Sequence, residues 1–152
     1  MEEEKLNKIE QLNFKTIEAE LYGYHDTKRE LELMEEEILE GTVYQEVAVQ
    51  TGTTADTTAN KAVKLLSSKA ILEVRRRIGA IDKAMDILRS QRTEVKPEKE
   101  YKDKLRLLEM KYFERKFTDK GIMAELNIEK TTFYNWKKEI VSLVSLYLGW
   151  KI

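Results

Sequence analysis

Apolar residues recur along this chain at intervals of three and four, the spacing of one helix face. Ile71, Val74, Ile78, Ile81, Met85 and Leu88 form an unbroken seam, which predicts a helix over 57–91. Ile17, Leu21, Tyr24, Lys28, Leu31 and Ile38 follow a similar rhythm and predict a helix over 3–40. Lys28 and Glu35 interrupt that seam, so it is not a strict coiled coil. Gly23 is a weak helix former and predicts a bend, with Asp26 able to cap a second helix. The seam over 57–91 needs a partner. It is either the helix of 17–40, in an antiparallel pair, or a second copy of itself.

Residues 41–60 have a different texture, rich in Thr, Val, Gly and Ala. They predict an irregular connector over 41–56, with Thr54, Asp56 or Thr57 as the cap of the next helix. The single proline, Pro97, marks a boundary and suits the first turn of a following helix. Tyr101, Leu105, Leu108 and Tyr112, extended by Phe113 and Phe117, predict that helix over 98–117. The fold expected is all-α: a long antiparallel helical hairpin over 1–92, then a small C-terminal helix-turn-helix bundle over 97–152.

Within that bundle, FTDKGIMAELNIEKTTFYNWKK (117–138) reads as two short helices around a tight turn. Ile122, Met123 and Leu126 give the first an apolar face. Asn127 fits the turn because Asn tolerates a left-handed backbone, and Ile128 follows as a buried plug. Phe133 and Trp136 share a face of the second helix. Its outer face carries Lys130, Thr131, Thr132, Tyr134, Asn135, Lys137 and Lys138, which suit phosphate and base-edge contacts. The plainer alternative is a helical hairpin with a polar outer face. Ile140, Leu143, Val144 and Tyr147 continue the pattern beyond Trp136, so the second helix either runs on or breaks near Ser142. This apolar tail is expected to pack across 98–117 or to form a dimer contact.

Composition agrees with long helices: 36% of the 152 residues are charged, with one Pro and six Gly. The formal charge of −1 is unevenly spread. Residues 1–40 hold 13 acids and 5 bases, whereas 61–92 hold 9 bases and 3 acids. The acidic front third is not expected to touch DNA. Arg75, Arg76 and Arg77, with Lys61, Lys64 and Lys69, are either a phosphate-binding stripe or a match for acidic helix 17–40; attraction between the two segments favours the second.

There is no Cys for a disulfide or thiolate site. The one histidine, His25, has no second ligand or nucleophile pattern around it and reads as structural. The chain has no glycine-rich phosphate loop. These absences predict a non-enzyme without cofactor or metal. MEEEKLNKIE is not read as a signal peptide, and no apolar run is long enough to span a bilayer. A cytoplasmic location is expected.

Four segments resemble, in order, the phage and prophage late-gene transcriptional regulators of the ArpU and RinA type. ELYGYHDTKRELELMEEEIL is similar to their tyrosine-rich front helix. TADTTANKAVKLLS is similar to a short motif in which Pro often stands where Thr57 is. LLEMKYFERKFTDKGIMAELNIEKTTFYNWKKEIV resembles their sigma-like helix-turn-helix, and YLGWKI resembles their ending. The resemblance implies core roles for Ile122, Leu126, Ile128, Phe133 and Trp136. It implies outward recognition roles for Thr131, Thr132, Tyr134, Asn135 and Lys138. Met123 and Asn127 replace the commoner Ala and Gly. The expected function is sequence-specific DNA binding in late-gene control. Expected partners are double-stranded DNA and a second copy of the chain, with RNA polymerase a further candidate. The competing classes are a small terminase-like packaging subunit and a coiled-coil scaffold that does not bind DNA.

Overall fold

The computed structural model describes residues 2–50, 57–90, 98–150 and 152, with side chains at 7–40, 68–90, 99–150 and 152. The described chain is all-α. Its helices are α1 (Glu2–Tyr22), α2 (Tyr24–Gln50), α3 (Thr57–Ser90), α4 (Glu98–Leu108), α5 (Asp119–Leu126) and α6 (Lys130–Leu148). A π-helical segment, Glu109–Glu114, continues α4. No strand occurs among the described residues.

Helix α1 ends where its last N–H, that of Gly23, bonds Ala19 O at 3.0 Å. α2 then starts at Tyr24, so Asp26 lies in its first turn and is not a preceding cap. The irregular connector expected over 41–56 is corrected over 41–50, because α2 runs on to Gln50; residues 51–56 lie outside the described residues. The strand preference of Val and Thr is worth only a fraction of a kcal/mol per residue. Extending an existing helix requires no new nucleus. Thr57 is the first residue of α3. Thr54, Asp56 and Pro97 lie outside the described residues, as do the side chains of Lys61 and Lys64.

The chain divides into two compact units, residues 26–78 and residues 1–25 with 79–152. In the 26–78 unit, α2 and α3 bury Leu31, Ile71 and Ile78. Arg75 holds Glu35 Oε1 at 2.9 Å from Nη2 and 3.0 Å from Nε. One turn further along α2, Ile38 shares a small cavity with Ile71, one turn back along α3. Arg76 and Arg77 lie 3.4 and 3.6 Å from Glu73 on their own helix. The arginines thus engage carboxylates of this unit.

The other unit has a larger core. Ile17 and Leu21 of α1, Ile81 of α3, Leu107 and Leu108 of α4, and Met110 and Tyr112 of the π-helical segment are essentially solvent-free. So are Ile122 of α5 and Phe133, Ile140, Val141 and Val144 of α6. Each such side chain contributes about 1.5–3 kcal/mol. The single helix expected over 98–117 is not found. It leaves α geometry after Leu108 and stops at Arg115, whose backbone is left-handed (φ 57°) and donates to Met110 O at 3.2 Å. The wider turn lets Leu107, Leu108, Met110 and Tyr112 all face inward, a spread broader than one α-helical stripe. Phe117 falls beyond it and is exposed rather than part of the apolar side.

Helix α6 does not break near Ser142. It runs to Leu148 and stops at Gly149, where φ is 72°. Trp150 N–H then returns to Ser145 O at 3.1 Å. A left-handed residue at that position is the usual helix stop, and Gly adopts it without a Cβ clash.

Candidate nucleic-acid interface

Thr118 precedes α5 in an extended conformation, and its Oγ1 accepts the Gly121 N–H at 3.1 Å. This N-cap satisfies a donor that the helix leaves open. α5 ends at Asn127, with φ 52° and ψ 50°. Asn127 N–H bonds Ala124 O at 3.3 Å, and Ile128 N–H bonds Met123 O at 3.0 Å. The second bond is the long return of a Schellman stop, which fixes the exit of the chain. Glu129 is extended and its carbonyl accepts the Phe133 N–H at 2.9 Å, opening α6.

The two faces of α6 then separate. Phe133 is fully buried and Trp136 nearly so, whereas Ile128, Leu126 and Met123 are half-buried. Ile128 is therefore not the buried plug expected of it. Lys130, Thr131, Tyr134, Asn135 and Lys138 are exposed, and Thr132 is half-buried. The Lys130 ammonium lies 5.9 Å from the centre of the Tyr134 ring. Asn135 and Lys138 form part of the wall of a groove of about 630 Å³, together with Leu88, Lys104, Leu143 and Leu146.

Lys137 departs from the rest of the predicted set. Its side chain is only 18% exposed and points to α1, 3.8 Å from Glu18 Oε2 and 5.7 Å from the Phe14 ring. It is an ion-pair partner of α1 rather than a member of the exposed row. The exposed cations also stand among carboxylates, since Glu125, Glu129 and Glu139 are exposed as well. The face is therefore mixed in sign, not a continuous basic stripe.

Three polar groups hold the surroundings of α5 and α6 in place: Lys104 and Lys111, which the spacing did not single out, and the hydroxyl of Tyr112, which it read only as apolar surface. Lys104 of α4 is buried, 2.5 Å from Glu139 of α6 and 3.4 Å from Glu100. Its ammonium also lies 5.9 Å from the Trp136 ring. Burial opposes the charge, but the hydrogen bond and charges of Glu139 and Glu100 outweigh it, so the ammonium sits above its ordinary pKa. Lys111 binds Asp119 of α5 at 2.9 Å and lies 5.7 Å from the Phe133 ring. There too burial opposes the charge, and Asp119 and Tyr22 more than restore it. Tyr112 donates its hydroxyl to Glu18 Oε2 at 2.8 Å. Burial first, and then the Glu18 carboxylate, pushes its phenol far above the usual range. The available signal was position: Lys104 sits three residues after Tyr101 and four before Leu108, inside an apolar seam.

His25 is exposed, with its ring 4.7 Å from Phe113. Among the described residues, no three His, Asp or Glu side chains are grouped to hold a metal ion. No described helix is long and apolar enough to cross a membrane. Comparison of the chain with protein-family models, with curated proteins and with solved structures finds no match.

Proposed function

We propose that this chain is a sequence-specific DNA-binding regulator of phage or prophage late genes, acting in the cytoplasm without enzymatic activity. In this reading α5, the Asn127 turn and α6 form a helix-turn-helix, and the first half of α6 enters the major groove. One observation carries it. α6 is anchored by a buried Phe133–Trp136–Ile140 face while Lys130, Thr131, Tyr134, Asn135 and Lys138 stand exposed on the other side. A rigid helix presenting amide, hydroxyl and ammonium groups meets the physical requirement for reading base edges. Asn135 and Tyr134 are assigned to bases, and Lys130 and Lys138 to phosphates. Thr131 is assigned to the same edge, with Thr132 at its margin. The resemblance to regulators of the ArpU and RinA type supports the late-gene role. In the same reading the helices of 1–92 form an antiparallel hairpin that pairs two copies on a two-fold site. RNA polymerase is a further partner of such a complex.

The test is binding to duplex DNA from the region flanking the chain's own gene, titrated with salt. Asn135→Ala should weaken binding to the preferred site about tenfold, as expected for a lost amide–base pair, with less effect on random DNA. Lys138→Ala should weaken both and reduce the salt slope by about one. Parent-like binding by both variants would sink these assignments. A solution mass corresponding to a ring of many copies would favour the packaging-subunit class over the dimer.

A further inference from the structure

Among the three lysines of α6, Lys137 alone is largely withdrawn from solvent, and it is withdrawn by a carboxylate. Glu18 Oε2 lies 3.8 Å from its ammonium, and both side chains are 18% exposed. The same oxygen accepts the hydroxyl of Tyr112 at 2.8 Å, and Tyr112 has no exposed surface. Glu18 is thus held from behind by a fixed donor. The Phe14 ring of α1 closes the other side, 5.7 Å from the ammonium. Tyr134, in the exposed row of α6, lies on the same ammonium at 5.3 Å. Lys137 is therefore next to the candidate interface while its charge is answered within the chain. Its distance to Glu18 exceeds that of a charge-assisted hydrogen bond, about 2.7–2.9 Å. The pair is loose, and the ammonium can be exchanged to another anion.

We propose that Glu18 is a built-in competitor for DNA phosphate. It neutralises Lys137 and holds the affinity of the α6 face for a polyanion below what its lysines would otherwise give. The proposal rests on the DNA-binding reading above. Its chemistry is simple: an intramolecular carboxylate stands beside Lys137 at high effective concentration. A phosphate must displace it to add one more ionic contact. Bulk salt screens the sheltered pair less than it screens exposed contacts. The helix that carries Glu18 is acidic and packs on α6 through the same core that positions it, so the competitor cannot drift away.

Glu18→Gln tests this, because it removes the charge and keeps an oxygen to accept the Tyr112 hydroxyl. Binding to a random-sequence duplex DNA is measured by fluorescence anisotropy over a range of salt. The variant should bind roughly threefold tighter at moderate salt, with a salt slope steeper by about one released counterion. Adding Lys137→Ala to Glu18→Gln should erase both gains. Glu10→Gln, which removes another charge from α1, should not steepen the slope. If the parent binds DNA and Glu18→Gln binds with the same affinity and slope, the competitor is refuted while DNA binding stands. Equal gains from Glu10→Gln refute it too, since bulk charge then explains the effect. If neither parent nor variant binds, the DNA-binding reading fails and takes this proposal with it. Amine-specific labelling of the parent needs no variant. Lys137 should react more slowly than Lys130 and Lys138 in the absence of DNA, and equal rates overturn the proposal.

Discussion

At the scale of single residues, buried polar groups do more to position α6 than the exposed ones. Lys104 is 2% exposed and answers two carboxylates, one of them on α6. Lys104→Ala should destabilise the fold by about 1–3 kcal/mol, less than the roughly 3–5 kcal/mol of breaking a fully buried pair. Its partner Glu139 keeps 49% of its side chain exposed and can be rehydrated. Lys104→Met, which preserves most of the packing, should cost less than Ala does; denaturant unfolding of both variants decides the order. The tyrosines give a pH test. Burial, aided by Glu18 at Tyr112 and by Asp82 at Tyr24, raises both phenols above the ordinary 10.0. A folded-state pKa raised in this way lends stability that is complete below pH 10 and is lost as pH rises further. The unfolded chain releases those protons first. In an alkaline phenolate titration, Tyr24 and Tyr112 should stay silent until the chain unfolds. Normal titration of these two in the folded chain would contradict the buried Tyr112–Glu18 and Tyr24–Asp82 contacts. Spacing marks the position of Lys104 but not its partners. A lysine in an apolar seam looks like an interruption until its partner is known, and Glu139 is 35 residues away along the chain.

At the scale of elements, what was legible depended on whether local chemistry sufficed. The α5–α6 turn was legible because Asn is one of the few side chains that accept a left-handed backbone. Asn127 does adopt it. Asn127→Gly should therefore leave stability nearly unchanged or slightly raised, whereas Asn127→Ala should cost about 1 kcal/mol. Thermal unfolding of the pair would show it, and an Ala variant as stable as the parent would mean that the turn is not strained. The seam from Ile71 to Leu88 was legible for the same local reason, and all its members except half-buried Val74 are buried. The π-helical segment was not. Period counting assumes α geometry, so it selected Leu105 and missed Leu107 and Met110, which are fully buried while Leu105 is not. The end of α2 was not legible, because local propensity over 41–50 does not register the helix already running into it. The exposed row on α6 was legible by face, but the turning of Lys137 toward Glu18 depends on a helix more than a hundred residues earlier.

At the scale of the whole molecule, sequence distance hides the core. The unit that holds α5 and α6 also includes residues 1–25 and 79–90. A segment 97–152, which spacing alone marks as a domain, lacks Ile17, Leu21, Ile81, Met85 and Leu88, all buried in that unit. Five such side chains contribute on the order of 10 kcal/mol, comparable to the whole stability of a typical domain, about 5–15 kcal/mol. It would also lose Glu18, which binds Tyr112, and the Tyr22 carbonyl, which accepts from Arg115 at 3.4 Å. An isolated 97–152 fragment should therefore keep helical content but melt without a cooperative transition, while the full chain melts cooperatively. Circular dichroism melts with amide exchange at Phe133 and Ile140 distinguish the two. A cooperative fragment with strongly protected amides would mean that α4 to α6 are self-sufficient. In that case α1 is an accessory to α6 rather than part of its core, and the Glu18–Lys137 contact could be removed with α1 without unfolding the interface. A non-cooperative fragment would tie the two together: the acidic helix that restrains Lys137 is then the same helix without which α6 has no fixed face to present.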